Sequence, residues 1–160
     1  MKTIFVKTPL GPAALTGDKN GVSSISVRDI AADEVIYDEV IPEELEDCVY
    51  QLREYFSGER HEFDLKLNPS GSDFQKKVWD ALQEISYGKT MSYLELSKKL
   101  GDVKAIRAVA GANARNPLWI VVPCHRVIGN DGSLTGYAGG LWRKKWLLEH
   151  ESPYKQQSLF

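Results

Sequence analysis

Sulfur is scarce in this 160-residue chain, which has two cysteines and two methionines. Two cysteines cannot supply a disulfide framework, and such sparing use points to a reducing setting inside a cell, the cytoplasm or a eukaryotic nucleus. Long apolar runs are missing as well. The N-terminal stretch from Met1 to Lys7 has only three consecutive apolar residues, too few for a signal peptide, and no segment approaches membrane-spanning length, so no membrane role is expected. Low-complexity tracts are absent. What remains is a globular composition, 42% hydrophobic and 26% charged, long enough for one or two small domains with an ordinary core.

The net charge of −2 hides an uneven distribution. Residues 1–87 hold nine Lys/Arg against seventeen Asp/Glu, a balance of −8, and residues 88–160 hold eleven against five, a balance of +6. A basic second half suits a polyanionic partner; attraction between the halves, or a merely solvated acidic face, would give the same split.

Hydrophobic patterning divides the chain at the same place. Residues 3–7, 13–16, 22–27 and 34–40 are short, mostly apolar or alternating runs separated by Pro and Gly turns, and they predict strands. From Pro42 the spacing of Leu45, Val49, Leu52 and Phe56 predicts a helix that Gly58 ends. Asn68-Pro69-Ser70-Gly71 reads as a linker, giving a domain over 1–68 and another over 72–160. In the second, Ser72-Asp73-Phe74-Gln75 and Ser92-Tyr93-Leu94-Glu95 have capping-box form. The first opens a helix with Phe74, Val78, Leu82 and Ile85 on one apolar face. The second opens a short helix that ends at Leu100-Gly101, and Asp102 can cap another from Val103 to about Asn113. Helix, Gly-containing turn, helix is the helix-turn-helix pattern. A Gly-rich loop from 129 to 140 and a basic helix follow, with Trp142 and Trp146 expected in the core. The fold class is therefore α+β.

The second helix of the pair places Ala105, Ala108 and Ala112 on one side, with Arg107 beside them and Lys104 and Arg115 at its ends, while Ile106, Val109 and Ala110 turn towards the core. Alanines carry nothing with which to read base edges, so such a face suits close approach to a backbone or a shallow groove. Arg107 is either a solvated helix charge or an arginine that enters the minor groove or the duplex.

The most informative segment is Ile120-Val121-Val122-Pro123-Cys124-His125-Arg126-Val127-Ile128. An apolar run, read as a strand, delivers a cysteine next to a base and a guanidinium. A thiolate is the best side-chain nucleophile near neutral pH. Cys48, inside the amphipathic helix, is buried filler on its spacing.

Pro123-Cys124-His125-Arg126-Val127, preceded by Arg107-Ala108-Val109 and Asn116-Pro117, resembles the O6-alkylguanine-DNA alkyltransferase family, also called methylated-DNA–protein-cysteine methyltransferases. Ser92-Tyr93, Gly136-Tyr137-Ala138-Gly139-Gly140-Leu141, and Trp146-Leu147-Leu148 followed by His150-Glu151 match in the same order. The resemblance spans about residues 72–151; the N-terminal part resembles the family only in size and coarse layout. It implies a small ribonuclease H-like sheet-plus-helix domain and a mostly helical second domain with a winged-helix-like helix-turn-helix. It also implies repair of double-stranded DNA by single-turnover transfer of an alkyl group from O6-alkylguanine, and O4-alkylthymine, to Cys124, by a monomer without cofactor.

Several roles follow from the resemblance. His125 is the base, acting through a bridging water because adjacent side chains diverge, and Glu151 orients it. Tyr93 donates to the purine N3, and Asn116 braces the segment leading to the cysteine. Tyr137, the backbone N–H of Ala138, the carbonyls of Cys124 and Val127, and Trp119 line the base pocket. Arg107 fills the stack vacated by a flipped base, Arg115, Lys104 and Lys89 hold phosphates, and Arg126 holds the loop between domains. Flipping is required because the target atom is inaccessible inside a duplex. Trp119 is bulkier than the residue common at that position, which puts tolerance of large adducts in question. Some relatives bind zinc in the first domain; here Cys48 and His61 alone cannot form such a site, and no metal is expected. A non-catalytic helix-turn-helix binder of damaged DNA, or a regulator, is the competing reading, and a Cys-His hydrolase or thiol sensor is a more distant one.

Overall fold

The computed structural model describes residues 1–153. Backbone contacts divide the chain into Met1–Ser70 and a second unit beginning at Gly71. Of the second domain expected over 72–160, positions 154–160 lie outside the described residues.

The first unit is a three-stranded antiparallel meander, β1 (Lys2–Thr8), β2 (Gly11–Asp18) and β3 (Gly21–Val27), in the order β1-β2-β3. Two-residue turns join the strands, with Thr8 facing Gly11 and Asp18 facing Gly21. Helix α1 (Glu43–Ser57) packs across all three strands, burying Leu45, Cys48, Val49 and Leu52. Tyr55 completes its buried stripe, where the sequence spacing points to Phe56. A three-residue step from Leu52 keeps Tyr55 on the same face, and Phe56 sits edge-on against it at 5.3 Å. Gly58 ends the helix at φ 87°, a left-handed cap that L side chains resist. The buried Gln51 amide exchanges two 2.9 Å hydrogen bonds with the backbone of Asp64, and Val22 forms an isolated bridge with Leu67 at the open edge of β3.

The expected strand over 34–40 does not form. Its apolar residues have no face to bury: Ile36 and Val40 are 90% and 85% exposed. Asp38 meets Phe5 instead, its carboxylate accepting from Phe5 N at 3.1 Å and its own N–H donating to Phe5 O at 3.4 Å. That single contact caps part of the β1 edge without extending the sheet.

The second unit comprises α2 (Asp73–Leu82), β4 (Met91–Ser92), α3 (Tyr93–Lys99), α4 (Ile106–Ala114), β5 (Val127–Ile128) and α5 (Leu141–Glu151). Both capping boxes are formed, Ser72 with Gln75 and Ser92 with Glu95. Helices α3 and α4 make the helix-turn-helix; between them a short 3-10 turn, Val103–Ala105, is capped by the Asp102 carboxylate at Lys104 N. Val78, Leu82, Leu96, Val109, Leu118 and Leu147 form a fully buried core. Phe74, expected on the apolar face of α2, is 40% exposed; Trp79 is buried in that helix and donates its indole N–H to Ala112 O at 2.9 Å. Trp142, expected in the core, is 54% exposed with the Arg143 guanidinium 4.5 Å from its ring centre. β4 pairs in parallel with β5, Met91 opposite Val127, which sets the first residue of α3, Tyr93, beside the turn that follows Cys124.

Candidate active site

The run before Cys124 is buried but is not a strand. Val121 N donates to Trp119 O at 2.8 Å across Ile120, whose φ is 74°, and Cys124 N donates to Val122 O at 2.8 Å across Pro123 at φ −82°, ψ 65°. Both are γ-turns, and the first has the strained hand, rare for a β-branched residue. Asn116 explains how the chain stays there. Its amide donates to Val122 O at 2.7 Å and Leu118 O at 3.3 Å, and its Oδ1 accepts from Leu118 N at 3.0 Å, so one side chain takes backbone groups that a neighbouring strand would otherwise pair. The apolar residues mark burial, and the asparagine, not their periodicity, sets the backbone.

Cys124 opens a one-turn 3-10 helix, Cys124–Arg126, and is 5% exposed. Burial pushes its thiol up to about 11, against the pull of the Asn116 amide and the Lys144 charge. The resting group is therefore a thiol. His125, fully buried, has its Nε2 2.8 Å from Glu151 Oε2, and burial holds its pKa below the usual 6.5. Burial also works to raise the Glu151 carboxyl, but the hydrogen bonds and charges of His125 and Arg126 hold it well below the usual carboxylate range. A neutral imidazole against an ionised carboxylate donates from Nε2, so Nδ1 carries the lone pair; that atom is buried and has no hydrogen-bond partner among the described residues.

Arg126 completes the cluster. Its Nε and Nη2 donate to Glu151 at 2.7 and 3.0 Å, and its Nη1 donates to Ile85 O at 2.6 Å. Those partners are the end of α5 and the segment after α2, both in the second unit. Within that unit Arg126 balances the buried carboxylate that faces His125.

Of the other candidate residues, Tyr93 and Tyr137 lie within the field of the same cysteine. The Tyr93 hydroxyl donates to Thr135 O at 3.5 Å. The Tyr137 hydroxyl is buried without a partner among the described residues, and burial followed by the field of Cys124 raises its pKa well above the ordinary value. The Tyr137 and Trp119 rings lie 5.5 Å apart and close over Gly139, where a Cβ would come within 2.8 Å of Tyr137 and 2.9 Å of Trp119. Ala138 is exposed in the same loop. The carbonyl of Val127 accepts from Lys144 Nζ at 2.6 Å, and Val127 N donates to Cys124 O.

Lys144 itself, fully buried, has no warning in the hydrophobic pattern, because α5 buries Arg143, Lys144, Leu147 and Glu151, a face mostly of charged residues. Its signal is the spacing: positions 144, 147 and 151 share one side of a helix.

The outer face of α4 lies apart from this cluster. Lys104, Arg107, Ala108 and Arg115 are exposed and Ala105 is half-buried, whereas Ala112, expected on the same open face, is 4% exposed with its carbonyl taken by Trp79. Gly111 occupies the open stripe in its place. The arrangement there is smooth and positively charged at both ends.

Fold and site together define a helix-turn-helix protein with a buried cysteine turn backed by a His–Glu–Arg cluster. Residues 1–69 match the family model described as 6-O-methylguanine DNA methyltransferase, ribonuclease-like domain, and residues 73–153 match that of its DNA binding domain. The chain belongs to the 6-O-methylguanine DNA methyltransferase family. Among curated relatives, the methylated-DNA–protein-cysteine methyltransferase of Methanosarcina acetivorans is 46% identical over 147 residues, 91% of this chain and 94% of that protein. That of Mycobacterium tuberculosis is 43% identical over 91% of this chain and 89% of its own length. The crystal structure of Mycobacterium tuberculosis OGT in complex with DNA matches with a TM-score of 0.81 at 42% identity, covering 93% of this chain and 92% of that one. An O6-methylguanine DNA methyltransferase from Methanococcus jannaschii matches at 0.66 and 28%, covering 94% and 93%.

Proposed function

We propose that the protein repairs double-stranded DNA by moving the alkyl group of O6-alkylguanine, and of O4-alkylthymine, onto Cys124, once per molecule, as a monomer without cofactor in the compartment that holds the DNA. The observation that carries this reading is the buried Cys124 turn with a neutral His125 whose Nδ1 is free to take a proton while Glu151 and Arg126 fix its Nε2 side. The names of the relatives and the DNA-bound neighbour support the substrate class.

The reaction is displacement at carbon: a C–S bond forms and the C–O6 bond of the base breaks. The thiol proton passes through a bridging water to His125, and a proton reaches the departing guanine with help from Tyr93 at N3. Glu151 stays ionised and holds the tautomer, the nucleophile–base–orienter logic of a triad. The product is a thioether, which has no hydrolytic exit, and this explains a single turnover. The Ala138 N–H faces O6, the Val127 carbonyl has a second lone pair for the exocyclic amine, and Asn116 holds the turn. Exposed Arg107 enters the stack left by the flipped base, with Ala105, Ala108 and the adjoining Gly111 against the minor groove and Lys104, Lys89 and Arg115 at phosphates.

The test is incubation with a duplex bearing O6-methylguanine, followed by proteolysis and mass mapping. One methyl group on Cys124 and none on Cys48 is expected, and Cys124→Ser abolishes transfer while duplex binding survives. A folded, reduced protein that leaves Cys124 unmodified overturns the reading, and tight lesion binding without transfer would mark a non-catalytic damage binder.

A further inference from the structure

A lysine with no solvent exposure and no carboxylate partner needs a reason to be where Lys144 is. Its ammonium rests on three carbonyls, Val127 O at 2.6 Å, Thr135 O at 2.7 Å and Gly136 O at 3.4 Å. No ion pair involves it among the described residues. Burying an ammonium against neutral dipoles alone is costly, and a methionine or leucine would fill the same volume without that cost. The carbonyls it joins belong to two segments. Val127 ends the turn that starts at Cys124, and Thr135 and Gly136 lead into Tyr137 and Ala138.

The groups facing this charge are few. Cys124 and His125 feel it directly; Tyr93 and Tyr137 feel Cys124 in turn, Arg126 and Glu151 act on His125, and Arg143 and Glu151 act on Tyr137. Of the three cations, Arg126 is neutralised by Glu151 at 2.7 Å and Arg143 lies against Gly139 O and the Trp142 ring. Lys144 is the one whose charge bears on the sulfur and has no anion of its own. Loss of the thiol proton creates a buried anion, and a nearby cation is what makes that tolerable.

We propose that Lys144 is a positioning residue for alkyl transfer: its ammonium pins the loop bearing Tyr137 and Ala138 to the turn bearing Cys124, and it is the buried positive charge against which the thiolate forms. The inference rests on the alkyl-transfer reading above and adds to it a buried cation that no DNA contact requires. Burial lowers the Lys144 ammonium to about 8, with Cys124 pulling the other way, so the charge is present at neutral pH and lost in moderate base.

The experiment uses the full chain as wild type, Lys144→Gln and Lys144→Arg. Two rates are read against pH: methyl transfer from an O6-methylguanine duplex, and alkylation of Cys124 by iodoacetamide, resolved from Cys48 by mass mapping. In Lys144→Gln the apparent thiol pKa in the iodoacetamide profile rises by about one unit, and transfer at neutral pH falls by roughly tenfold to a hundredfold, the size of a one- to two-unit change in that equilibrium. Lys144→Arg, which keeps the charge, retains the wild-type profile even if transfer slows. Duplex affinity is unchanged in both. A folded Lys144→Gln with an unmoved iodoacetamide profile overturns the proposal, whatever its transfer rate. Should Lys144→Gln not fold, side-chain NMR of wild-type lysines decides: one ammonium titrating near 8 supports the buried charge, and none doing so overturns it. The iodoacetamide arm needs no DNA, so a wild type that fails to take methyl defeats the alkyl-transfer reading without being mistaken for failure of this one.

Discussion

Replacing Glu151 by glutamine asks most of the site, because the change keeps shape and removes one charge. The wild-type carboxylate receives three short contacts, from His125 Nε2 at 2.8 Å and from Arg126 Nε and Nη2 at 2.7 and 3.0 Å, and all three side chains are buried. An amide has a single acceptor oxygen. If that oxygen serves Arg126, the amide N–H2 faces His125, whose Nε2 must then accept, so the ring proton moves to Nδ1. The atom proposed to take the thiol proton is then already protonated. Breaking a buried pair costs about 3–5 kcal/mol; with part of the hydrogen bonding kept, the lower end applies, about 3 kcal/mol. For a chain of this length that is a fall in melting temperature of roughly 6–12 °C. Loss of the general base slows transfer by about 10²–10⁴-fold.

The assay is single-turnover methyl transfer from an O6-methylguanine duplex at neutral pH, with calorimetry on the same preparation and duplex binding as a control. Slow transfer with intact binding and a lowered melting temperature is expected. Wild-type transfer by a folded Glu151→Gln protein would refute the relay, since the tautomer argument leaves no neutral acceptor at Nδ1. An unchanged melting temperature would refute the energetics, because it would mean that Arg126 does not depend on that carboxylate.

Three other outcomes follow from the same geometry. Ala108→Leu and Ala112→Leu should part company: the buried Ala112 site is overpacked at about 1–3 kcal/mol by chemical denaturation, whereas the exposed Ala108 variant keeps wild-type stability and loses duplex affinity; equal stability loss in both would sink the assignment of the open face. Trp119→Ser opens the wall that Trp119 and Tyr137 build over Gly139 and should favour O6-benzylguanine over O6-methylguanine by about tenfold, the lower end for one pocket contact; an unchanged ratio in competition would place Trp119 outside the alkyl side. His125 and Glu151 both have lowered pKa values in the fold, so their contributions are complete above the unfolded values of 6.5 and 4.5 and are lost as pH falls. The melting temperature should fall from pH 7 to 5, a limb that His125→Asn removes, and a flat wild-type profile over that range would contradict the buried neutral imidazole.

What could be read in advance was local chemistry, and what could not was backbone direction. Ser72 with Gln75, Ser92 with Glu95 and Asp102 are short-range signals, and each forms the cap that its spacing specifies. The α1 stripe and the helix-turn-helix follow from periodicity in the same way. The run before Cys124 looks like a strand because it is apolar and β-branched, yet one asparagine four residues before Ile120 supplies its hydrogen bonds and a positive φ at Ile120 bends it away. Residues 34–40 alternate like a strand but have no face to bury. The buried face of α5 was illegible for the opposite reason. Lysine, arginine and glutamate read as solvated until the carbonyls and the imidazole that receive them are known, and two of those lie far along the chain, Val127 17 residues from Lys144 and His125 26 residues from Glu151.

A thiol raised to about 11 sits oddly with a nucleophile, unless the group is to be used once. A standing thiolate in a pocket would react with any small electrophile, and each such event would remove a molecule from service on the proposed reading. Burial keeps Cys124 protonated, and Cys48, raised to about 12 in α1, is quieter still. On that same reading the proton leaves only when His125 receives it next to a tolerated anion, so reactivity would depend on a chain of positioned groups and not on the sulfur alone. On this view the large upward shift protects a consumable side chain, and Asn116 and Lys144 keep the cost of its one ionisation within reach.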